Sequence, residues 1–195
     1  LLAKAGAPAG TVNYLPGLGA ELGDFLVRHA GIDLIAFTGS LDVGLDIISR
    51  SAQNPGPASV KRVLAEMGGK NAVIVDGDAD LDLAVTEIVS SAFNYAGQMC
   101  SAASRAIVLE SAYDDFVRRL VEATRSLRVG PPDDPGTRVG PLISAAAKEK
   151  VEGFIARGRD EARLAATVEP PPGGWPGGGF YVAPHVFVDV PPSAV

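Results

Sequence analysis

Two residues of this chain carry side chains suited to acyl chemistry. Cys100 is the only cysteine among 195 residues, in Phe93-Asn94-Tyr95-Ala96-Gly97-Gln98-Met99-Cys100-Ser101, and Glu66 lies 34 residues before it, in Glu66-Met67-Gly68-Gly69-Lys70-Asn71. A thiol attacks a carbonyl as its thiolate, and the thioester so formed is released when a base activates water. One cysteine and one glutamate suffice for those two roles. Each alone has a plainer reading: a single cysteine is most often a small buried hydrophobe, and a single glutamate a solvated surface charge. The glycines beside them shift the balance, because Gly68-Gly69 and Gly97 leave backbone free of side chains where a ligand can approach closely.

The elements that must position these groups follow from periodicity and punctuation. Thr11-Val12-Asn13-Tyr14-Leu15 predicts a short strand, Ala20 to His29 an amphipathic helix with Leu22, Phe25 and Leu26 on one side, and Leu34-Ile35-Ala36-Phe37 a buried strand. That order predicts a parallel α/β sheet. Thr38-Gly39-Ser40 leads into a helix from about Leu41 to Ala52, whose start offers free N–H groups and a positive dipole end to an anion. An ordinary serine cap accounts for the same residues. Gln53 to Ala58 is a breaker-rich loop, Val63-Leu64-Ala65 leads into Glu66 as a strand, and Ala72-Val73-Ile74-Val75 is another buried strand.

Asp78 or Asp80 opens the next helix. The aspartates at 76, 78, 80 and 82 suit capping better than a calcium loop, which needs a distal glutamate and a central glycine. Tyr113 to Leu127 predicts a helix with Phe116, Leu120 and Leu127 at helical spacing and a solvated arginine face on the other side. Gly130 to Gly136 is a rigid turn, and Ser144 caps a helix reaching Gly158. Pro170 to Gly179 is a long exposed loop in which Trp175 reads as a packing anchor, followed by strands at Phe180-Tyr181-Val182 and Val186 to Val190.

Composition narrows the function classes. The chain is 47% hydrophobic, enough for a sizeable core, and its net charge of −6 with scattered basic residues gives no footprint for nucleic acid. No apolar run approaches the roughly 18 residues of a membrane span. A single cysteine excludes an internal disulfide and agrees with a reducing compartment, the cytoplasm by expectation, with the mitochondrial matrix left open. Neither His29 nor His185 has a ligand-spaced partner, so no metal site is predicted. Leu1 to Gly6 reads as the last turn of a helix and Val190 to Val195 as an interrupted continuation, so the expectation is an internal fragment of a longer enzyme.

Taken jointly and in order, Phe37-Thr38-Gly39-Ser40 with Val43-Gly44, Glu66-Met67-Gly68-Gly69-Lys70, and Gly97-Gln98-Met99-Cys100 resemble three signatures of the aldehyde dehydrogenase superfamily. Gly6-Ala7-Pro8-Ala9-Gly10, Val139-Gly140-Pro141-Leu142-Ile143 and Phe180-Tyr181-Val182-Ala183-Pro184 extend the resemblance along the chain. Val60 to Arg105 is most similar to the 1-pyrroline-5-carboxylate (glutamate-semialdehyde) dehydrogenase subfamily, although Met99 stands where that subfamily often has lysine and Asn94-Tyr95-Ala96 departs from its small-residue run. The resemblance implies an α/β fold of aldehyde dehydrogenase type, built of three-layer parallel-sheet domains of which this chain holds part. Residues 1–66 would be the C-terminal part of the dinucleotide-binding domain, and 67–195 most of the catalytic domain.

The same resemblance implies site roles. NAD, or NADP, would be contacted by Thr38, Gly39, Ser40, Val43, Gly44, Met67 and Gly68, with the Ser40 hydroxyl aimed at a phosphate. Cys100 would attack an aldehyde to give a thiohemiacetal and then, after hydride loss, a thioester that Glu66 hydrolyses by activating water. A fully solvated carboxylate is a poor base for this task, so Glu66 is expected to be partly buried. Ser101 is the candidate contact for a substrate carboxylate, or else a structural hydrogen bonder. The implied reaction is oxidation of glutamate semialdehyde to glutamate in proline breakdown. Two alternatives stand beside it, another small aldehyde and a noncatalytic dinucleotide-binding paralogue. The family's oxyanion asparagine, ribose-binding lysine and downstream glutamate fall outside these residues, so they are expected to be inactive alone, and the full-length parent to be a homo-oligomer.

Overall fold

The computed structural model describes residues 1–53, 60–175 and 178–194. They form two compact units, Leu1–Gly68 and Gly69–Val195. Of the expected loop at Gln53 to Ala58, all but Gln53 lies outside the described residues.

The first unit begins with a short 3-10 turn, Ala3–Ala5, closed by Gly6 at a left-handed φ of 84°. Then come α1 (Gly19–Arg28), β1 (Leu34–Gly39), α2 (Leu41–Gln53) and β2 (Arg62–Met67). The two strands pair in parallel, from Leu34 opposite Arg62 to Gly39 opposite Met67. Only one face of this pair is covered. Ile35 and Phe37 of β1 and Val63, Ala65 and Met67 of β2 are half-buried, while their alternating neighbours are exposed. The expectation of a buried strand at Leu34 to Phe37 is corrected accordingly, because one helix layer covers one side chain in two. In α1 the buried residue is Val27, whereas Phe25, on the apolar side expected of this helix, is 62% exposed. Lys61, itself buried, donates from Nζ to the Val27 carbonyl at 2.7 Å and so ties the entry of β2 to the end of α1. Thr11 to Leu15 forms no strand: it pairs with nothing among the described residues, and Val12, Tyr14 and Leu15 are exposed.

The second unit holds β3 (Asn71–Val75), α3 (Leu81–Phe93), β4 (Ala103–Val108), α4 (Glu110–Arg125), α5 (Ala145–Glu161), β5 (Arg163–Thr167) and β6 (His185–Val188). Strands β3 and β4 are parallel, joined through α3, whereas β5 and β6 are antiparallel. Asp80 caps α3 by accepting from the N–H groups of Asp82 and Leu83 at 3.0 and 3.1 Å, the role its place before the helix predicts. Ser144 caps α5 through the N–H of Ala147.

Val75, Val85, Ile88, Phe116 and Leu120 form the core, with Val73 packed against it. Ile74 is 72% exposed, so β3 too is covered on one face rather than buried on both. On α4, Arg118 pairs with Asp115 and Arg119 with Asp82 at the surface. Trp175 stacks obliquely on Tyr181 at 6.2 Å and packs against a second cluster with Val129 and Val139, which makes it the anchor of its loop. Of the strand expected at Phe180 to Val182, the structure keeps one isolated bridge, Leu142 to Phe180.

Beyond β6 the backbone turns at Asp189, whose φ of 56° is left-handed. Tyr113 on α4 donates its hydroxyl proton to Asp189 Oδ1 at 2.9 Å and accepts from the Asp189 N–H at 3.1 Å, while Arg163 Nε donates to Oδ2 at 2.9 Å. The Tyr113 hydrogen bond, and after it Arg163, hold the Asp189 carboxyl below the ordinary 3.8.

Two outcomes follow from this architecture. Phe116→Ala is expected to destabilise the unit by about 3–5 kcal/mol, read from urea unfolding, because a fully buried ring leaves a cavity. A carboxyl with a depressed folded-state pKa stabilises the fold above its unfolded value and loses that contribution as pH falls through the folded one. Tyr113→Phe removes part of the depression, so the Tm gap between wild type and Tyr113→Phe is expected to narrow as pH falls from neutrality to below about 3.8. A gap independent of pH contradicts this assignment.

Candidate active site

In the first unit, the register of β1 and β2 gathers the residues of two separate motifs. Thr38 pairs with Glu66, and Gly39 with Met67. Thr38 and Glu66 are both exposed, on the uncovered face, and Met67 points to the helix-covered one. Glu66 is therefore not partly buried as expected. The alternation that inserts Ala65 and Met67 beneath α2 places Glu66 outside. On the covered side Gly44 is buried, and a Cβ there would lie 2.6 Å from the Met67 sulfur. Glycine at 44 thus lets α2 close onto Met67.

Ser40 bridges β1 and α2. Its Oγ accepts from the Val43 N–H at 3.3 Å, and the first helical backbone bond runs from the Gly44 N–H to the Ser40 carbonyl at 3.0 Å. The plain reading of Ser40 as a cap is thus present in the structure. It leaves the hydroxyl proton free to be donated elsewhere, and the N–H groups of Leu41 and Asp42 precede the first intrahelical bond. Free N–H groups at a helix start can bind an anion, and at Gly68 nothing lies within 4 Å of where a Cβ would stand. Val43 is 47% exposed on the first turn of α2.

In the second unit, Cys100 lies in the connection from α3 to β4, and its thiol is exposed, not part of a core. Ser101 beside it is exposed as well. The approach to the cysteine is unusual. Tyr95, Ala96 and Gly97 have successive φ values of 57°, 54° and 71°, two of them at residues with a Cβ. Gln98 ties this stretch down, donating from Nε2 to the Tyr95 carbonyl at 3.1 Å and accepting at Oε1 from the Ile143 N–H at 3.0 Å. Beyond the cysteine, the Ala102 N–H donates to the Met99 carbonyl at 3.1 Å, and the Ala103 N–H to Ser91 Oγ at 3.1 Å.

Asn71, at the start of β3, completes the enclosure. Its Nδ2 donates to the carbonyls of Cys100 at 2.8 Å and Ala102 at 3.2 Å. The strand pairing is irregular at this place, with Asn71 opposite Ala103 and Ala72 opposite Arg105, and Ser104 Oγ donates back to the Asn71 carbonyl at 3.3 Å. Gly69 lies close enough that its Cβ would stand 3.7 Å from the Cys100 carbonyl oxygen. Sequence reasoning quoted Asn71 as the end of the glutamate motif and assigned it nothing. The only signal that could have singled it out is an amide side chain at a strand start one βα unit before the cysteine. His29 and His185 are engaged locally, with Gly31 and with Ala183 and Thr167, and no cluster of three metal-binding side chains occurs among the described residues. No helix among those residues is long and apolar enough to cross a membrane.

The sequence model of the aldehyde dehydrogenase family matches residues 1–195, and the chain belongs to that family. It is 49% identical over all 195 residues to the 1-pyrroline-5-carboxylate dehydrogenase of Geobacillus sp. (strain WCH70) and 47% identical to that of Bacillus subtilis (strain 168), covering 37% of the length of each. Among solved structures it resembles proline utilization A (PutA) from Bdellovibrio bacteriovorus inactivated by N-propargylglycine, with a TM-score of 0.90 and 46% identity over 97% of this chain and 19% of that one. It also resembles the Thermus 1-pyrroline-5-carboxylate dehydrogenase with bound NAD, with a TM-score of 0.88 and 42% identity over 98% of this chain and 36% of that one. The α/β fold expected from the motifs is that of the family, held here in part.

The loop geometry makes one position sensitive. A Cβ at Gly97 would stand 3.0 Å from the Ala92 carbonyl oxygen, at a φ that disfavours any side chain. Gly97→Ala is expected to cost about 1–2 kcal/mol in urea unfolding; an unchanged midpoint would mean that the loop accepts another backbone path.

Proposed function

We infer that this chain forms part of an NAD-dependent dehydrogenase that oxidises glutamate semialdehyde, the open form of 1-pyrroline-5-carboxylate, to glutamate. The observation that carries the reading is the likeness to 1-pyrroline-5-carboxylate dehydrogenases over the whole chain at 49% identity. The exposed thiol in a loop fixed on both sides agrees with it. Residues 1–66 contribute to the dinucleotide domain and 67–195 to the catalytic domain. Thr38, Gly39, Ser40, Val43, Gly44, Met67 and Gly68 hold NAD, the hydroxyls and the N-terminus of α2 taking its pyrophosphate. NADP is the second candidate, and the protein works in the cytoplasm as an oligomer.

Cys100 Sγ, as thiolate, forms a bond to the aldehyde carbon, and the carbonyl oxygen takes the negative charge. Bound NAD supplies the acceptor for the hydride that leaves this carbon. The resulting thioester stays on Cys100. Glu66 takes a proton from water, the hydroxide attacks the thioester carbon, and the carbon–sulfur bond breaks to give the acid and the free thiolate. Ser101 stands beside the nucleophile as a donor to the substrate carboxylate.

The protein expressed from the complete coding sequence tests this reading. Cys100→Ser is expected to lower NADH formation from glutamate semialdehyde by more than about 10³-fold. Glu66→Gln is expected to keep a single burst of NADH while steady turnover falls by about 10²–10⁴-fold. Wild-type oxidation of other aldehydes but not this one would overturn the substrate assignment. No aldehyde oxidation at all would leave a noncatalytic dinucleotide-binding protein.

A further inference from the structure

The geometry points to Asn71 as a positioning residue for Cys100, through the backbone on both sides of the cysteine. This rests on the reading of Cys100 as the nucleophile. The peptide plane before Cys100 is fixed at its carbonyl end, because the Met99 C=O accepts from the Ala102 N–H at 3.1 Å. In a trans peptide the N–H points opposite to the carbonyl, so this bond also sets the direction of the Cys100 N–H. The plane after Cys100 is fixed by Asn71, whose Nδ2 reaches the Cys100 carbonyl at 2.8 Å.

With both planes set, φ and ψ of Cys100 are set, and with them the direction of its Cα–Cβ bond. The second donation from the same amide group, to the Ala102 carbonyl at 3.2 Å, holds the turn that supplies the first bond. An amide NH2 has two protons, one for each carbonyl. No donor-free side chain of that size could replace it: aspartate at this position would present oxygens to two carbonyl oxygens. Asn71 is itself held, its own carbonyl accepting from Ser104 Oγ and its neighbour Lys70 from Arg105 at 2.6 Å. The clamp therefore stands on the paired ends of β3 and β4, not on a free loop.

The test compares Asn71→Asp and Asn71→Ala with wild type in the complete protein. Three quantities are read: the rate of Cys100 alkylation by iodoacetamide across pH, kcat and KM for glutamate semialdehyde, and the NAD dissociation constant. A nucleophile displaced by about an ångström costs roughly 100-fold in rate. Both variants are expected to lose kcat by about that factor, with the alkylation rate altered at every pH and NAD binding unchanged. Asn71→Gln, which keeps the amide on a longer arm, is expected to recover part of the loss. A residue acting only on general stability would lower Tm and leave kcat and alkylation of the folded fraction unmoved, and that result overturns the proposal. If wild type oxidises no aldehyde yet Asn71→Ala still changes Cys100 alkylation, the positioning stands and the enzymatic reading falls. If wild type is active and neither variant changes kcat or alkylation, the positioning falls alone.

Discussion

Parallel strands cannot be joined by a tight turn, and the chain around Cys100 is shaped by that constraint. The connection from β3 to β4 must travel the length of the sheet and back, which α3 accomplishes between Leu81 and Phe93. The chain then re-enters the sheet beside the residue where it started, because β3 and β4 begin next to one another at Asn71 and Ala103. The re-entry segment carries the thiol. Asn71 can hold it because the topology returns residues 100–102 to the start of β3, and the irregular register there leaves room for a side-chain amide between two carbonyls.

The cysteine loop combines strain with fixation. Left-handed backbone at Tyr95 and Ala96 is costly for residues with a Cβ, of the order of 1–2 kcal/mol each. Gln98, Asn71, Ser91 and the Met99 to Ala102 turn bond the same stretch to α3, to β3 and to the segment before α5. Fixation of this kind favours a group that must meet a carbonyl at a set angle, since the ordering entropy is met on folding rather than on reaction. The first unit uses a different device. There the β1–β2 register sets Thr38 beside Glu66, and the missing side chain at Gly44 lets α2 rest on Met67, so the start of α2 and the glutamate motif share one end of the strand pair.

Much of this was legible in the residues. Asp80 and Ser144 announced helix starts because short polar side chains before apolar periodicity have few other uses, and Gly6 announced a helix end for the same kind of reason. The family itself was visible from the motifs around Ser40, Glu66 and Cys100. What was not legible depended on how many layers cover a strand. Leu34 to Phe37 and Ala72 to Val75 read as buried runs, yet each sheet has one covered face, and the same fact puts Glu66 outside. Thr11 to Leu15 has the composition of a strand, but pairing is a property of a partner and not of the segment. Asn71 escaped notice because its importance lies in two carbonyls 29 and 31 residues away, a distance that no local pattern encodes.

In the proposed reaction the Cys100 sulfur carries the substrate carbon during turnover. Peptide mass spectrometry of the complete protein, acid-quenched while it oxidises glutamate semialdehyde with NAD, tests it directly. The account predicts an acyl adduct on the peptide bearing Cys100, present only when NAD is included, since an unoxidised thiohemiacetal dissociates on quenching. NADH formation with Cys100 unmodified in the quenched steady state, and still unmodified when Glu66→Gln is used to slow hydrolysis, would contradict it.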